Sequence, residues 1–279
     1  MQDGHVLGMT RTAFRSLPLI ALLAALGGQA MANPYASYLD VQVLPGWKES
    51  DGDHVAGLEL TLAEGWKTYW RVPGSAGIPP SFDWSGSSNL GDVRIVWPRP
   101  EVQDADGMRS IVYHDRVVLP LEVTPKNPGE PVVLNGRIFL GICENVCVPM
   151  EVSVNATLPV DAAARHTPPI ASALAGRPFS AAEAKVTSAR CKVRPDDGGL
   201  LVEARLAMPS AGGREVTVFE TPMPGAIVSD SVTERQGDML ISRARISSSG
   251  QGVGLDRSQL KITVLGQNYA VEIDGCDAG

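Results

Sequence analysis

Histidine is scarce, four residues in a chain of 279, and aromatic residues make up only 5%. So few imidazoles leave little from which to build a histidine-ligated metal centre. No G-x-S-x-G, H-E-x-x-H or Gly-rich phosphate loop occurs. The usual signatures of serine hydrolases, zinc proteases and nucleotide-binding enzymes are therefore missing. Past the amino terminus no run of about 18 apolar residues offers a membrane-spanning helix, so no stable membrane insertion is expected. The formal net charge is −7. A diffuse acidic surface of this kind suits neither nucleic acid nor anionic lipid.

The amino terminus carries a different signal. Arg11 and Arg15 form a basic flank, Leu17 to Leu26 a short apolar stretch, and Ala30-Met31-Ala32 a small-residue cleavage site. Together they predict a secretory signal peptide over residues 1–32 and a mature chain starting at Asn33, exported from the cytoplasm.

The rest is long enough for two ordinary domains, and 44% hydrophobic residues allow each a core. Ala56, Leu58, Leu60 and Leu62 alternate with Gly57, Glu59 and Thr61, the period-two pattern of a strand. Val93 to Trp97, Arg116 to Val123, Val132 to Ile142 and Met150 to Ala156 read as further strands, separated by Gly-, Pro- and Ser-rich turns. The tryptophans fall in this half, from Trp47 to Trp97. An Ala- and Pro-rich segment, 161–182, reads as a linker with a short helix near Ile170 to Leu174. A second strand series follows, from Lys185 to Ile273. The expected fold is all-β, two immunoglobulin-like β-sandwich domains in tandem, covering 33–160 and 183–279.

All four cysteines, Cys143, Cys147, Cys191 and Cys276, lie in the expected mature chain. An even count in an exported protein favours disulfides, and four cysteines allow three connectivities. The natural one joins Cys143 to Cys147 and Cys191 to Cys276. The second pair would close almost the whole second domain into one loop. By the chain-entropy argument that is a structural disulfide giving roughly 4–5 kcal/mol. The first pair stands between two predicted strands, Cys143-Glu144-Asn145-Val146-Cys147-Val148-Pro149. So short a loop removes little unfolded-state entropy, and a pair that stabilises little at a turn is suited to exchange. Acidic Glu144 acts against a very reactive thiolate. The residues alone leave both a staple and a redox pair open.

The order of motifs in the first half resembles a known family. Gly65-Trp66-Lys67-Thr68-Tyr69-Trp70-Arg71 is followed by Gly77-Ile78-Pro79-Pro80, Trp97-Pro98, Tyr113-His114-Asp115-Arg116, Leu119-Pro120 and finally Cys143 to Pro149. This succession is similar to the amino-terminal periplasmic domain of the DsbD/ScsB thiol–disulfide interchange proteins. The three residues between the cysteines follow the ScsB-like spacing rather than the five of DsbD itself. The resemblance implies an immunoglobulin-like sandwich in the periplasm, a module of a protein-disulfide reductase. Its pair would relay electrons to thioredoxin-like partners, with Cys147 forming the mixed disulfide and Cys143 resolving it. Here the membrane electron donor is expected to be a separate protein, and dithiol exchange calls for no cofactor. The family shields its pair with a cap loop bearing an aromatic. The matching stretch, Asp104 to Ser110, has no aromatic, and Met108 is the possible cap over the pair.

Other residues around these motifs take plainer readings. Trp66, Tyr69 and Trp70 are expected in the core, and His114 at the surface. Arg71 and Arg109 are candidates to put positive charge near the pair. Two rival functions stay open: a Cu(I)-binding protein using the Cys-x3-Cys thiolates, and a non-catalytic immunoglobulin-like binding scaffold.

Overall fold

Ten strands follow one another along the first half: β1 (Leu39–Lys48), β2 (His54–Leu62), β3 (Lys67–Tyr69), β4 (Ser81–Asp83), β5 (Leu90–Ile95), β6 (Glu101–Ala105), β7 (Met108–His114), β8 (Arg116–Pro125), β9 (Val132–Cys143) and β10 (Cys147–Leu158). The computed structural model describes residues 1–2, 4, 34–162, 167–248 and 254–279. The basic flank, apolar stretch and cleavage site expected within 1–32 lie outside the described residues. One sheet runs β1-β2-β8-β5. The facing sheet runs β10-β9-β3-β7-β6, with β4 also paired to β9. Alternating residues of both sheets fill the space between them: Leu58, Leu60, Leu119 and Leu121 from one, Leu134, Ile138, Leu140 and Ile142 from the other.

β2 is buried on both faces, and the second cover is a helix. The helix α1 (Pro168–Ala175) starts on prolines, which are tolerated in a first helical turn, and ends at Gly176. Its Ile170 is fully buried against Trp47, Val55 and Val118. A Cβ on Gly57 would come within 2.8 Å of the Ile170 side chain, so glycine here lets the helix seat on the sheet. The helix lies in the segment read as a linker, and it packs on the first sandwich.

The second half holds β11 (Phe179–Ser180), β12 (Ser188–Asp196), β13 (Gly199–Ala207), β14 (Val216–Glu220), β15 (Ala226–Val228), β16 (Val232–Gln236), β17 (Met239–Ser248), β18 (Lys261–Leu265), β19 (Ala270–Asp274) and β20 (Asp277–Ala278). Its sheets run β11-β19-β18-β14 and β15-β17-β13-β12-β20, with β16 also paired to β17. Val202, Leu206, Phe219, Leu240, Ile262 and Val271 make its core. The fold is thus all-β, two sandwiches in tandem.

Several elements depart from the sequence reading. Asp104 to Ser110 is a β-hairpin rather than a loop: Asp106 and Gly107 both take positive φ at the turn between β6 and β7. Lys185 also has positive φ, and the strand expected to start there begins at Ser188. β1 escaped the pattern because Pro45-Gly46 breaks its register. Gly46 has φ +65° and passes so close to Val55 that no Cβ fits.

Pro34–Gly279 forms a single unit, and apolar and polar contacts join the sandwiches. Val218, Leu265 and Ala270 of the second sandwich belong to the same apolar cluster as the first core. Arg99 of the first donates to the carbonyls of Gly266 and Gln267. Asp104 pairs with Arg214.

Candidate redox site

Cys143 ends β9 and Cys147 begins β10, and the two residues stand directly opposite each other in the antiparallel register. Directly opposed residues point to the same face of a sheet. The three-residue connection, closed by a bond from Glu144 N–H to the Val146 carbonyl (3.3 Å), therefore delivers both sulfurs to one face. They are joined as a disulfide, with Cα atoms 4.2 Å apart. Along β9 the even-numbered residues from Leu134 to Ile142 face the core, and Asn135, Arg137 and Phe139 face out and are exposed. Gly141 and Cys143 continue the outward series yet are buried. Something must cover them.

The cover comes from β3 and the loop that follows it. In Trp66-Lys67-Thr68-Tyr69-Trp70-Arg71 the period is two. Trp66 and Trp70 enter the core, and Thr68 donates to the Gly141 carbonyl (2.9 Å). Lys67, Tyr69 and Arg71 face the other way. Tyr69 was expected in the core. Instead its hydroxyl lies 2.7 Å from Cys143 Sγ and 3.3 Å from Cys147 Sγ. Disulfide sulfurs carry no proton, so the phenol is the donor. Burial raises the Tyr69 pKa above its ordinary value, which keeps that proton in place at neutral pH.

Ile78 and Val112 complete the wall, packing with Tyr69 against Cys143. Two glycines make room for it. A Cβ on Gly77 would sit 2.6 Å from the Tyr69 ring, and one on Gly141 would sit 2.7 Å from the Ile78 Cβ. The result is an asymmetric pair: Cys143 is 1% exposed, whereas Cys147 belongs to the exposed residues of the hairpin.

The remaining expected neighbours stand elsewhere. Met108, the possible cap over the pair, is at the tip of the β6–β7 hairpin and 53% exposed. It lies four residues along β7 from Val112, roughly 13 Å in an extended strand. Ile78, not Met108, covers Cys143. His114 lies across β3 from the pair: Lys67 is opposite Cys143 on one side and opposite His114 on the other. Gln103 bonds both, accepting from Lys67 Nζ (3.0 Å) and meeting His114 Nε2 (2.7 Å). Lys67 is thus the cationic residue in register with Cys143, rather than the candidates Arg71 and Arg109. Arg71 points to Glu220 and Glu272, and Arg109 to Asp104 and the Ser231 carbonyl.

The chemistry open to this arrangement is thiol–disulfide exchange. An incoming thiolate meets Cys147 first. The departing Cys143 sulfur has a hydroxyl donor 2.7 Å away to stabilise its negative charge. Among the described residues no three His, Cys, Asp or Glu side chains gather into a metal-binding group. The thiolates that Cu(I) would need are here joined to each other.

Cys191 and Cys276 are also bonded, 85 residues apart, with Cα atoms 5.7 Å apart. Cys191 is fully buried in the second core. Just past Cys276, β20 pairs with Arg190 and Cys191 of β12, fixing the two ends of the second sandwich together.

Fold and site define a tandem immunoglobulin-like protein with a cysteine pair at one hairpin. Residues 40–159, nearly the whole first sandwich, match the family described as thiol:disulfide interchange protein DsbD, N-terminal. The N-terminal periplasmic domain of ScsB from Proteus mirabilis has the same tandem fold. It aligns over 89% of this chain and 97% of that one, with TM-score 0.67 and 23% identity. The Neisseria meningitidis DsbD N-terminal domain in the reduced form aligns over 45% of this chain and 90% of that one. Its 17% identity and TM-score of 0.28 are too low to compare the folds. No curated protein sequence matches the chain. Among the described residues no helix is long and apolar enough to cross a membrane.

Proposed function

We propose that the protein is an exported, periplasmic thiol–disulfide interchange module that passes electrons to thioredoxin-like proteins through Cys147. The observation that carries this reading is the asymmetry of the pair. Cys147 is exposed, whereas Cys143 is 1% exposed and bonded to the Tyr69 hydroxyl. In the reduced protein the Cys147 thiolate attacks a partner disulfide, forming a mixed disulfide and releasing one partner thiolate. Cys143 then attacks Cys147 Sγ, and the second partner thiolate leaves. Two electrons have moved to the partner, and Cys143–Cys147 is oxidised. A donor in the membrane restores the dithiol by the reverse exchange. The periplasmic setting of the ScsB domain with the same fold supports the assignment of compartment. Cys191–Cys276 stays out of the cycle as a structural bond.

The test is a trapping experiment. The Cys143→Ser protein, incubated with oxidised thioredoxin-like proteins of the periplasm, should accumulate a mixed disulfide through Cys147. The Cys147→Ser protein should accumulate none. Absence of any trapped species with Cys143→Ser would refute the reading.

A further inference from the structure

The loop between β3 and β4, residues 71–80, both shields Cys143 and binds the second sandwich. Its far half carries Ile78 onto Cys143 and Gly141. Its near half is anchored at two places. At the first, the Arg71 guanidinium lies over the Trp70 ring, 4.2 Å from the centroid, with its side chain 18% exposed. It donates to Glu220 on β14 (2.8 and 2.9 Å), to Glu272 on β19 (2.7 Å) and to Thr263 on β18 (3.3 Å). At the second, Ala76 N–H donates to the Arg109 carbonyl (3.2 Å), and Ser75 Oγ accepts from the Arg109 N–H (3.0 Å). Arg109 in turn reaches the Ser231 carbonyl before β16 (3.3 Å). Both anchors of the shielding loop therefore end on the second sandwich.

We infer that the second sandwich sets the reactivity of the Cys143–Cys147 pair, with Arg71 as the positioning residue that holds the 71–80 loop closed over Cys143. This rests on the redox reading of the pair but not on any partner. A guanidinium removed from water and facing two carboxylates fixes its loop more firmly than an exposed ion pair does. Arg71 stands two residues from Tyr69, so the same anchor holds the phenol on the sulfurs and the loop above them. Without it, Ile78 and Tyr69 lose their fixed place, and Cys143 becomes reachable from solvent.

The experiment uses the full chain with Cys143–Cys147 selectively reduced and Cys191–Cys276 intact. Iodoacetamide labelling is followed by peptide mapping. In the wild type, Cys147 should label at least about tenfold faster than Cys143, since access and thiolate character govern thiol reactivity. Arg71→Met should raise the labelling rate of Cys143 by roughly tenfold and shift the equilibrium of the pair with glutathione. Arg71→Lys, which restores the charge without the planar fork, should recover part of the selectivity. Glu220→Gln with Glu272→Gln provides a second way to release the anchor if Arg71→Met fails to fold. Circular dichroism and an intact Cys191–Cys276 bond show that each variant is folded. A folded Arg71→Met or Glu220→Gln/Glu272→Gln protein whose Cys143 labels within twofold of wild type, at an unchanged glutathione equilibrium, would overturn the inference. Because only small molecules react, the outcome is separate from that of the partner-trapping test.

Discussion

The two disulfides divide the work of cysteine between the two sandwiches. Cys191–Cys276 closes 85 residues, and Cys143–Cys147 closes four. By the chain-entropy relation these separations correspond to about 4.5 and about 2 kcal/mol. The long bond joins Cys191 on β12 to Cys276, between β19 and β20, and its Cys191 is fully buried. The short bond joins residues that the hairpin register already places side by side. It adds little that the β9–β10 ladder does not supply, and one of its residues is exposed. On the proposed reading, one bond serves stability and the other serves access.

That contrast can be broken by mutation. The largest expected effect on stability comes from Cys276→Ser, which should lower the unfolding free energy by about 4 kcal/mol in urea titration. Replacing both Cys143 and Cys147 by serine should cost about 2 kcal/mol or less while abolishing exchange. Equal losses from the two bonds would erase the distinction.

Tyr69→Phe sharpens it on the chemical side. The ring keeps its place against Gly77 and Ile78, and only the hydroxyl donor to the sulfurs is lost. A hydrogen bond to a developing thiolate is worth about 1.5–3 kcal/mol, so stopped-flow reduction of Cys143–Cys147 by dithiothreitol should slow by about tenfold or more. Reduction of Cys191–Cys276, at whose sulfurs no hydroxyl donor stands among the described residues, should be unaffected.

The smallest effect concerns the contact between the sandwiches. Burial by itself raises the Glu272 pKa, but Lys261 and Arg71 outweigh it and hold the carboxyl below 4.5. A carboxyl depressed in the folded state contributes stability above its unfolded pKa and loses it as pH falls through the folded one. Wild-type stability should therefore decline below about pH 4.5 more steeply than that of Glu272→Gln, which has no proton to gain. Parallel acid limbs in chemical denaturation would contradict this.

Much of the architecture is legible in the residues. Strands with clean alternation, such as Ala56 to Leu62 and Met150 to Ala156, stand out because one face meets a core. The short helix at Pro168–Ala175 is legible from its prolines and alanines. The site is legible only in part. Cys-x3-Cys between two strands places both sulfurs on one face, but nothing in composition says what covers them. Tyr69 shows why. An aromatic flanked by tryptophans looks like core, yet period two, applied to Trp66-Lys67-Thr68-Tyr69-Trp70-Arg71, puts Tyr69 with Lys67 and Arg71 on the opposite face from the tryptophans. The glycines at 77 and 141 carried the remaining signal, since each marks a close approach at the pair. The carboxylates that hold Arg71 and the Ser231 carbonyl that Arg109 reaches were out of reach, because they lie more than a hundred residues away on the second sandwich.

The most direct test of the account follows both disulfides in one sample. The wild-type protein is equilibrated across a series of dithiothreitol ratios, acid-quenched and mapped by mass spectrometry for free thiols. Cys143 and Cys147 should appear as thiols together at mild ratios, while Cys191 and Cys276 stay joined until the protein unfolds. Opening of both bonds at the same ratio, or of Cys191–Cys276 first, would contradict this.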